Sequence, residues 1–468
     1  MMPPVRPYMS HNISRTPPPN RISLKQRVLR AGAWSFAGYG VGQAIRFGTN
    51  LLMTRLLVPE MFGVMAIGNM VMAALAMFSD LGLKQIIIQS KRGNDPLFLN
   101  TVWTTQIFRG IVLWLVALSV GLLVYLIDRI GIIPKNSAYA DSRLPYVVVA
   151  LSFTALIAGF QSTKLFEASR NLSLGQVTKN EIIAPVVGLF VMSAWAFFDR
   201  SIWALVAGNI CTSLVIMVIS HAWLSGIKNR LVWDKFAFRE IFQFGKWMFL
   251  SSILGFFVNN GDRLLLGGLI DATLLGVYII AFAIFGAVEQ LLNRIINDIS
   301  LSALSEVARA QPVKLKANYY RFHIVIGCFA YFCSGILMFS GQTLIGLLYD
   351  SRYQQAGWML EVLATALLVT PFNLAVMCLL ALGFANLFAA IIAIRMVCLF
   401  VLLPLGYHFF GLSGALWGMV ASYFSILPAT MYYKIRYHLF DIFKELPLLP
   451  AWLGGMLIAK AFILAMGH

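Results

Sequence analysis

The chain has 468 residues, of which 59% are hydrophobic and 12% charged, and its mean hydropathy is +0.79. A soluble domain carries roughly 25% charged residues, so this composition excludes a water-exposed globular surface and points to a polytopic α-helical membrane protein. The net charge of +17 does not argue for nucleic acid, because the basic residues lie in short segments between apolar runs and not in a basic domain.

Residues 1–30 are basic and proline-rich, with Pro17, Pro18 and Pro19 in a row, and read as a disordered cytoplasmic tail. From there on, apolar runs long enough to cross a bilayer core, about 20 residues each, predict thirteen helices. Six near 31–53, 61–80, 104–127, 144–161, 181–198 and 201–224 make an N-terminal lobe over 31–224. A cytoplasmic linker follows at 225–239. Six more near 240–262, 273–297, 322–348, 358–381, 386–408 and 412–433 make a C-terminal lobe over 240–433. An appendage over 434–468 carries the thirteenth helix, near 447–466 and interrupted by Lys460.

The first span holds a polar stripe. At 100° per residue, Tyr39, Gln43, Arg46 and Asn50 share one helical face. Such a stripe should not face lipid, where polar and charged groups are costly, so it reads as the wall of a cavity. Gly38, Gly40 and Gly42 on the same span read as small residues for close helix packing. In the eighth span Glu289, Gln290, Asn293 and Arg294 gather toward the cytoplasmic half. Arg395 lies in the middle of the eleventh span and is the hardest charge to explain by snorkelling, whereas Arg109 and Lys246 lie near the cytoplasmic surface and fit a snorkel. Asp80, Glu289, Asp298 and Glu361 are the carboxylates available to carry a coupling ion, a proton or Na⁺, and nothing in the sequence ranks them.

With the N-terminus placed inside, the cytoplasmic segments hold 24 Lys and Arg and the outer segments 7. This bias fixes the orientation. No Gly-x-x-x-x-Gly-Lys-Ser/Thr loop occurs, which argues against ATP hydrolysis by this chain. Five cysteines and six histidines are scattered without metal-ligand spacing, and no cofactor is expected.

A shift of 213 residues lays residues 32–67 over 245–280 with 11 of 36 identities, among them Gly63/Gly276, Trp34/Trp247 and Gly48/Gly261. Six spans separate the copies, so both run in the same direction. Parallel repeats of this kind are related by an axis along the membrane normal, with the substrate site between them. The fold class expected is therefore all-α integral membrane, with two six-helix lobes related by a pseudo-two-fold and about one extra C-terminal helix. In this register Arg46 lies over Asn259 and Asn50 over Arg263, so each lobe presents one Arg and one Asn. Arginine suits a diphosphate, because its planar fork donates bidentate hydrogen bonds and stays protonated.

Three segments carry a resemblance: L-L-M-T-R-L-L-V-P-E-M-F-G-V around residues 54–64, S-D-L-G-L-K-Q-I-I-I-Q at 79–89, and N-N-G-D-R-L-L-L-G-G through L-G-V-Y-I-I-A-F at 259–282. The chain resembles the polysaccharide-transport family of Wzx-like oligosaccharide flippases, in the multidrug and oligosaccharidyl-lipid exporter superfamily, over about residues 30–440. None of the three is a catalytic motif. The resemblance implies a non-enzymatic exporter that passes undecaprenyl-diphosphate-linked oligosaccharide across a bacterial inner membrane by alternating access, for exopolysaccharide, capsule or O-antigen synthesis. It further implies membrane lipids and the polysaccharide polymerisation machinery as partners. The substrate-binding residues expected are Tyr39, Gln43, Arg46, Asn50, Asn259, Arg263 and Arg395. Two rivals remain: an ion-coupled multidrug exporter of the same fold, and a membrane glycan polymerase or glycosyltransferase. The mainly basic mid-membrane charges disfavour a cation exporter, and the short outer loops disfavour an enzyme. Members of the family commonly have fourteen helices; this chain ends soon after a thirteenth.

Overall fold

A computed structural model describes residues 24–171, 173–296, 304, 307, 314–382, 384–437 and 439–465. All regular secondary structure among them is helical. The first half comprises α1 (Leu24–Leu56), α2 (Pro59–Met77), α3 (Leu83–Gln89), α4 (Pro96–Ile130), α5 (Leu144–Gly159), α6 (Lys164–Arg170), α7 (Leu174–Phe198) and α8 (Trp203–Ala222). The second comprises α9 (Lys235–Leu269), α10 (Ala272–Arg294), α11 (Leu315–Leu348), α12 (Ala356–Ala364), α13 (Asn373–Ala381), α14 (Ala385–Phe424), α15 (Leu427–Arg436), α16 (Ile442–Glu445) and α17 (Leu448–Ala465). Among the described residues nine helical segments are long and apolar enough to cross a membrane, or eleven if each of two bent pairs is one span.

Two local features explain why that number differs from the thirteen spans read from the sequence. The longest segment, residues 386–436, is not one rod. Gly411 sits inside it at φ +62°, a left-handed conformation that glycine adopts without steric cost. A Cβ on Gly406 would lie 2.1 Å from the carbonyl oxygen of Gly414, and one on Gly418 2.3 Å from that of Leu402. Residues so far apart in sequence touch only if the chain folds back on itself, so α14 is a hairpin of two antiparallel legs. The other feature is α1, whose 33 residues are long enough to span. Its polar stripe and glycines, however, dilute its hydropathy. It begins at Leu24, inside the expected tail; residues 1–23 lie outside the described residues.

The two halves meet along α2 and α10. A Cβ on Gly63 would lie 1.9 Å from the carbonyl oxygen of Ala272, and one on Gly276 1.8 Å from that of Pro59. Only glycine admits backbones this close. The 213-residue shift exchanges these two contacts, since Gly63 lies over Gly276 and Pro59 over Ala272. Of the mid-span glycines on α1, Gly38 does pack closely, against Thr178, but Gly40 and Gly42 face open space, so the close-packing expectation holds at one of the three.

At one end of the bundle the two halves are laced together. The last carbonyls of a helix have no partner within it, and a cation at that end is favoured by the helix dipole. Arg352 donates from Nη2 to the Thr54 carbonyl at 2.9 Å and from Nη1 to that of Leu57 at 3.2 Å, closing the end of α1. Reciprocally, Arg55 donates to the Leu348 carbonyl at the end of α11 at 3.1 Å. Arg143 pairs with Glu60 at 2.6 Å, and Tyr139 donates to the Leu264 carbonyl at 2.8 Å. At the other end residues 225–239 lie on the first half: Asn100 accepts from the Arg230 amide at 2.9 Å, and Arg92 pairs with Asp95 at 2.9 Å and reaches Asp234 at 3.5 Å.

Leu57 is 1% exposed behind the outer seal. A cysteine placed there is expected to resist an impermeant maleimide added from outside, and Arg352→Ala to raise its labelling rate several-fold; an unchanged rate would count against the seal. The hydrogen bonds from Arg352 hold the Asp350 carboxyl below its ordinary range, against the opposing effect of burial. A depressed carboxylate stabilises above its unfolded pKa, roughly 3.9, and that contribution is lost as pH falls through the folded value. Protection of residue 57 should therefore persist from pH 7 to pH 5 and fail only in stronger acid.

Candidate functional site

The second half encloses a polar cavity of about 360 Å³ between α9, α10 and α14. Three of the residues expected to bind substrate, Asn259, Arg263 and Arg395, line it together with Glu289, Gln290 and Asn293. The α10 residues arrive at spacings of one, three and four, which places them on one face. A neighbouring chamber of about 570 Å³ shares Val258, Asn259, Asn293 and Arg395 with the first. Its further walls are mostly apolar, including Leu254, Val376, Phe388 and Ile392. Arg395 therefore stands where a polar and an apolar space meet.

Each guanidinium rests on a ring. Arg395 lies 3.7 Å above the Tyr423 ring, and Arg263 4.9 Å above that of Phe282, geometry in which the ring face attracts the cation. Arg263 also donates to Asn260 at 3.4 Å, but its buried Nε has no partner. Its side chain is thus held by one face and one edge while a further N–H remains unspent.

The cavity also holds a carboxylate that sequence reasoning passed over. Asp262 is 3% exposed and accepts from the Tyr278 hydroxyl, itself fully buried, at 2.5 Å. It falls at the expected end of the seventh span, 240–262; the signal that flags it is its position beside Arg263, in a helix that continues to Leu269. With Asp262 and Glu289 facing Arg263 and Arg395, the described lining carries two charges of each sign.

The other expected residues stand elsewhere. On α1, Gln43 donates to the Tyr39 hydroxyl at 2.9 Å and accepts from Arg46 Nε at 2.8 Å. Arg294 of α10 lies 4.8 Å over the Tyr39 ring, so this ladder turns toward the second half. Arg46 itself is exposed and does not line the polar cavity; Asn50 is half-buried. Asp80 accepts from Ser252 of α9 at 2.9 Å and from the Gly82 amide at 2.9 Å. Glu361 accepts from the Gln342 amide at 3.1 Å, within the second half. Asp298 lies outside the described residues. Of the four candidate coupling carboxylates, Glu289 is the one that faces the cavity among the described residues.

The model of the family described as polysaccharide biosynthesis protein matches residues 52–358, and the chain belongs to that family. It is 23% identical to the lipopolysaccharide biosynthesis protein WzxC of Escherichia coli (strain K12) over 73% of this chain and 67% of that one. The fold is similar to the lipid II flippase MurJ in an inward closed conformation, at a TM-score of 0.68, 10% identity and 93% coverage of each chain. It is also similar to an inward-facing MATE family transporter of the MOP superfamily, at a TM-score of 0.62 and 15% identity over 85% of this chain and 94% of that one. The chain is thus an all-helical, multi-span membrane protein with a MurJ- and MATE-like fold.

Tyr278→Phe removes the buried donor to Asp262 and leaves a carboxylate with reduced hydrogen bonding, a loss of about 1–3 kcal/mol. The variant purified in detergent should unfold at a measurably lower temperature than the wild type, and Phe282→Leu, which keeps the hydrogen bond, should fall less. Identical unfolding of Tyr278→Phe and wild type would contradict this role.

Proposed function

We propose that the chain flips an undecaprenyl-diphosphate-linked oligosaccharide across the bacterial inner membrane by alternating access, supplying exopolysaccharide, capsule or O-antigen synthesis. The observation that carries the reading is the junction at Arg395 of a polar cavity and an apolar chamber inside a membrane fold. A lipid-linked sugar has the same division: a charged diphosphate and hydroxyl-rich glycan at one end, hydrocarbon at the other. Arg263 and Arg395 offer forked donors to diphosphate oxygens, while Asn259, Asn293, Asp262 and Glu289 match the mixed donors and acceptors of sugar hydroxyls.

Under this reading the two halves are six-helix lobes, 31–224 and 240–433, related by a pseudo-two-fold along the membrane normal, with the C-terminal helix as an appendage. The glycine crossing of α2 and α10, which the repeat shift exchanges, supports such an axis. The α1 ladder of Tyr39, Gln43 and Arg46, with Asn50 beyond it, stands outside this cavity on the face that the first lobe turns toward Arg294; the apolar chamber takes the lipid next to the diphosphate, and the rest of the tail stays in the bilayer between the lobes. The laced outer ends describe the state closed to the outside; opening it requires Arg352, Arg55 and Arg143 to release their partners. Glu289, beside Arg395, is the coupling carboxylate favoured by its place in the cavity, ahead of Asp80 and Glu361.

In a strain lacking the endogenous exporter, Arg263→Ala and Arg395→Ala should each abolish surface polymer at normal protein levels. Lysine at either position should restore part of it, keeping the charge and losing the fork. Lys460→Ala should export normally. Full export by both alanine variants would refute the site, and loss of drug resistance with polymer unaffected would favour multidrug export by the same fold.

A further inference from the structure

A second pocket, of about 270 Å³, lies in the first half where α2 ends, between α3, α4 and α5. The site proposed above uses none of it except Asp80. Its lining is ordered by depth. The chain enters the membrane along α4 from the cytoplasmic side and returns along α5. Gln106, Arg109, Gly110 and Leu113 therefore lie progressively deeper, with Ala155 opposite the deep end and Gln161 beyond the shallow one. Lys84 and Gln85, from the 79–89 segment, close the shallow end. The pocket is thus charged and polar toward the cytoplasm and apolar toward the bilayer core. Phe108 and Phe153, on the same two helices, are 65% and 43% exposed, as expected of surfaces in contact with hydrocarbon.

The polar end has unspent hydrogen-bonding capacity of both kinds. Gln106 is 7% exposed, and its Nε2 donates to the carbonyls of Ala158, Gly159 and Gln161 at 2.9, 3.2 and 3.0 Å. These carbonyls lie in the turn that closes α5, where Ala158 also accepts from the Gln161 amide at 3.2 Å. That task fixes the amide orientation, since the reverse would set oxygen against three oxygens. Its Oε1 is then buried with no partner. Arg109 donates from Nε to Ser79 at 3.0 Å and from Nη2 to the Ala76 carbonyl at 2.6 Å, which leaves Nη1 free to serve a ligand. Lys84 is exposed and enters no ion pair among the described residues. A buried acceptor left unpaired is unfavourable, so a donor is wanted at one place and an anion at another.

We propose that this pocket binds the headgroup of an inner-leaflet phospholipid bearing a primary amine, with its phosphate on Lys84 and Arg109 and its ammonium at Gln106 Oε1 and Asp80. Basic pockets between helices on the cytoplasmic side suit lipid phosphates. Here the unpaired amide oxygen and the Asp80 carboxylate select the amine as well, and the apolar walls at Leu113 and Ala155 take the start of the acyl chains. A free phosphate would leave both Gln106 and the apolar end unused.

Native mass spectrometry of the full chain in detergent tests this with dioleoyl phosphatidylethanolamine, phosphatidylcholine and phosphatidylglycerol. The ethanolamine lipid should be retained about tenfold more tightly than either of the others, the size of one charge-assisted hydrogen bond. Phosphatidylcholine lacks the amine protons, and phosphatidylglycerol lacks the cation. Asp80→Asn, which keeps an oxygen for the Gly82 amide and loses the charge that faces the ammonium, should erase most of the preference, whereas Lys84→Glu and Arg109→Ala should weaken retention of all three. Equal retention of the three lipids by wild type, or an undiminished preference in Asp80→Asn, would overturn the proposal. Displacement of the lipid by soluble phosphorylethanolamine at comparable concentrations would assign the pocket to a soluble phosphate and overturn it too.

Discussion

A guanidinium or carboxylate inside a bilayer must find partners within the protein, because hydrocarbon offers none and the cost of leaving it bare is several kcal/mol. The arrangement of this chain follows from that requirement. Arg263 and Arg395 rest on aromatic faces and look toward carboxylates, and Asp262 is held by a buried tyrosine. Arg109 spends itself on a helix carbonyl and a serine. Each such partnership fixes which way a helix face turns. Together they define polar spaces where an otherwise apolar bundle would close on itself.

The same requirement separates the two sides of the molecule. At the laced end the charges are spent on helix ends: Arg352 and Arg55 cap each other's neighbouring helices across the two halves, so the seal is made of groups that water could equally satisfy. Such contacts are worth little individually when exposed and are therefore reversible. Within the bundle, the α2–α10 crossing brings backbone against backbone at Gly63 and Gly276 and is the fixed part of the junction. A fixed crossing flanked by exchangeable polar contacts suits a protein whose two halves rock.

Much of this was legible in the sequence. Hydropathy and the charge bias gave the helical, multi-span character, and the glycines of the 213-residue repeat are those that make the central crossing. Asn259 and Arg263 stand out through the repeat, Glu289, Gln290 and Asn293 through a shared helical face, and Arg395 through its depth, and the structure brings them to one cavity. What periodicity could not supply was pairing. Asp262 is invisible as a buried group until α9 is seen to continue past it to Leu269, and the ring beneath Arg395 comes from Tyr423, on the far leg of a hairpin that only the left-handed Gly411 creates. Arg46 shows the converse. It shares a helical face with Tyr39 and Gln43 and bonds to Gln43, yet α1 packs mainly on α7, which leaves the guanidinium exposed and outside the cavity that holds Arg263. A helical wheel gives a direction but not a distance.

The central claim is that the joined polar and apolar spaces at Arg395 receive a lipid-linked diphosphate. Its most direct test is translocation in proteoliposomes containing purified protein and an undecaprenyl-diphosphate-linked oligosaccharide with a fluorescent sugar. The fluorophore is bleached by an impermeant reductant after a pH or Na⁺ gradient is imposed. The account predicts gradient-dependent transfer between leaflets that the wild type supports and Arg395→Ala does not. Transfer no faster than in protein-free vesicles, or equal transfer by Arg395→Ala, would contradict it.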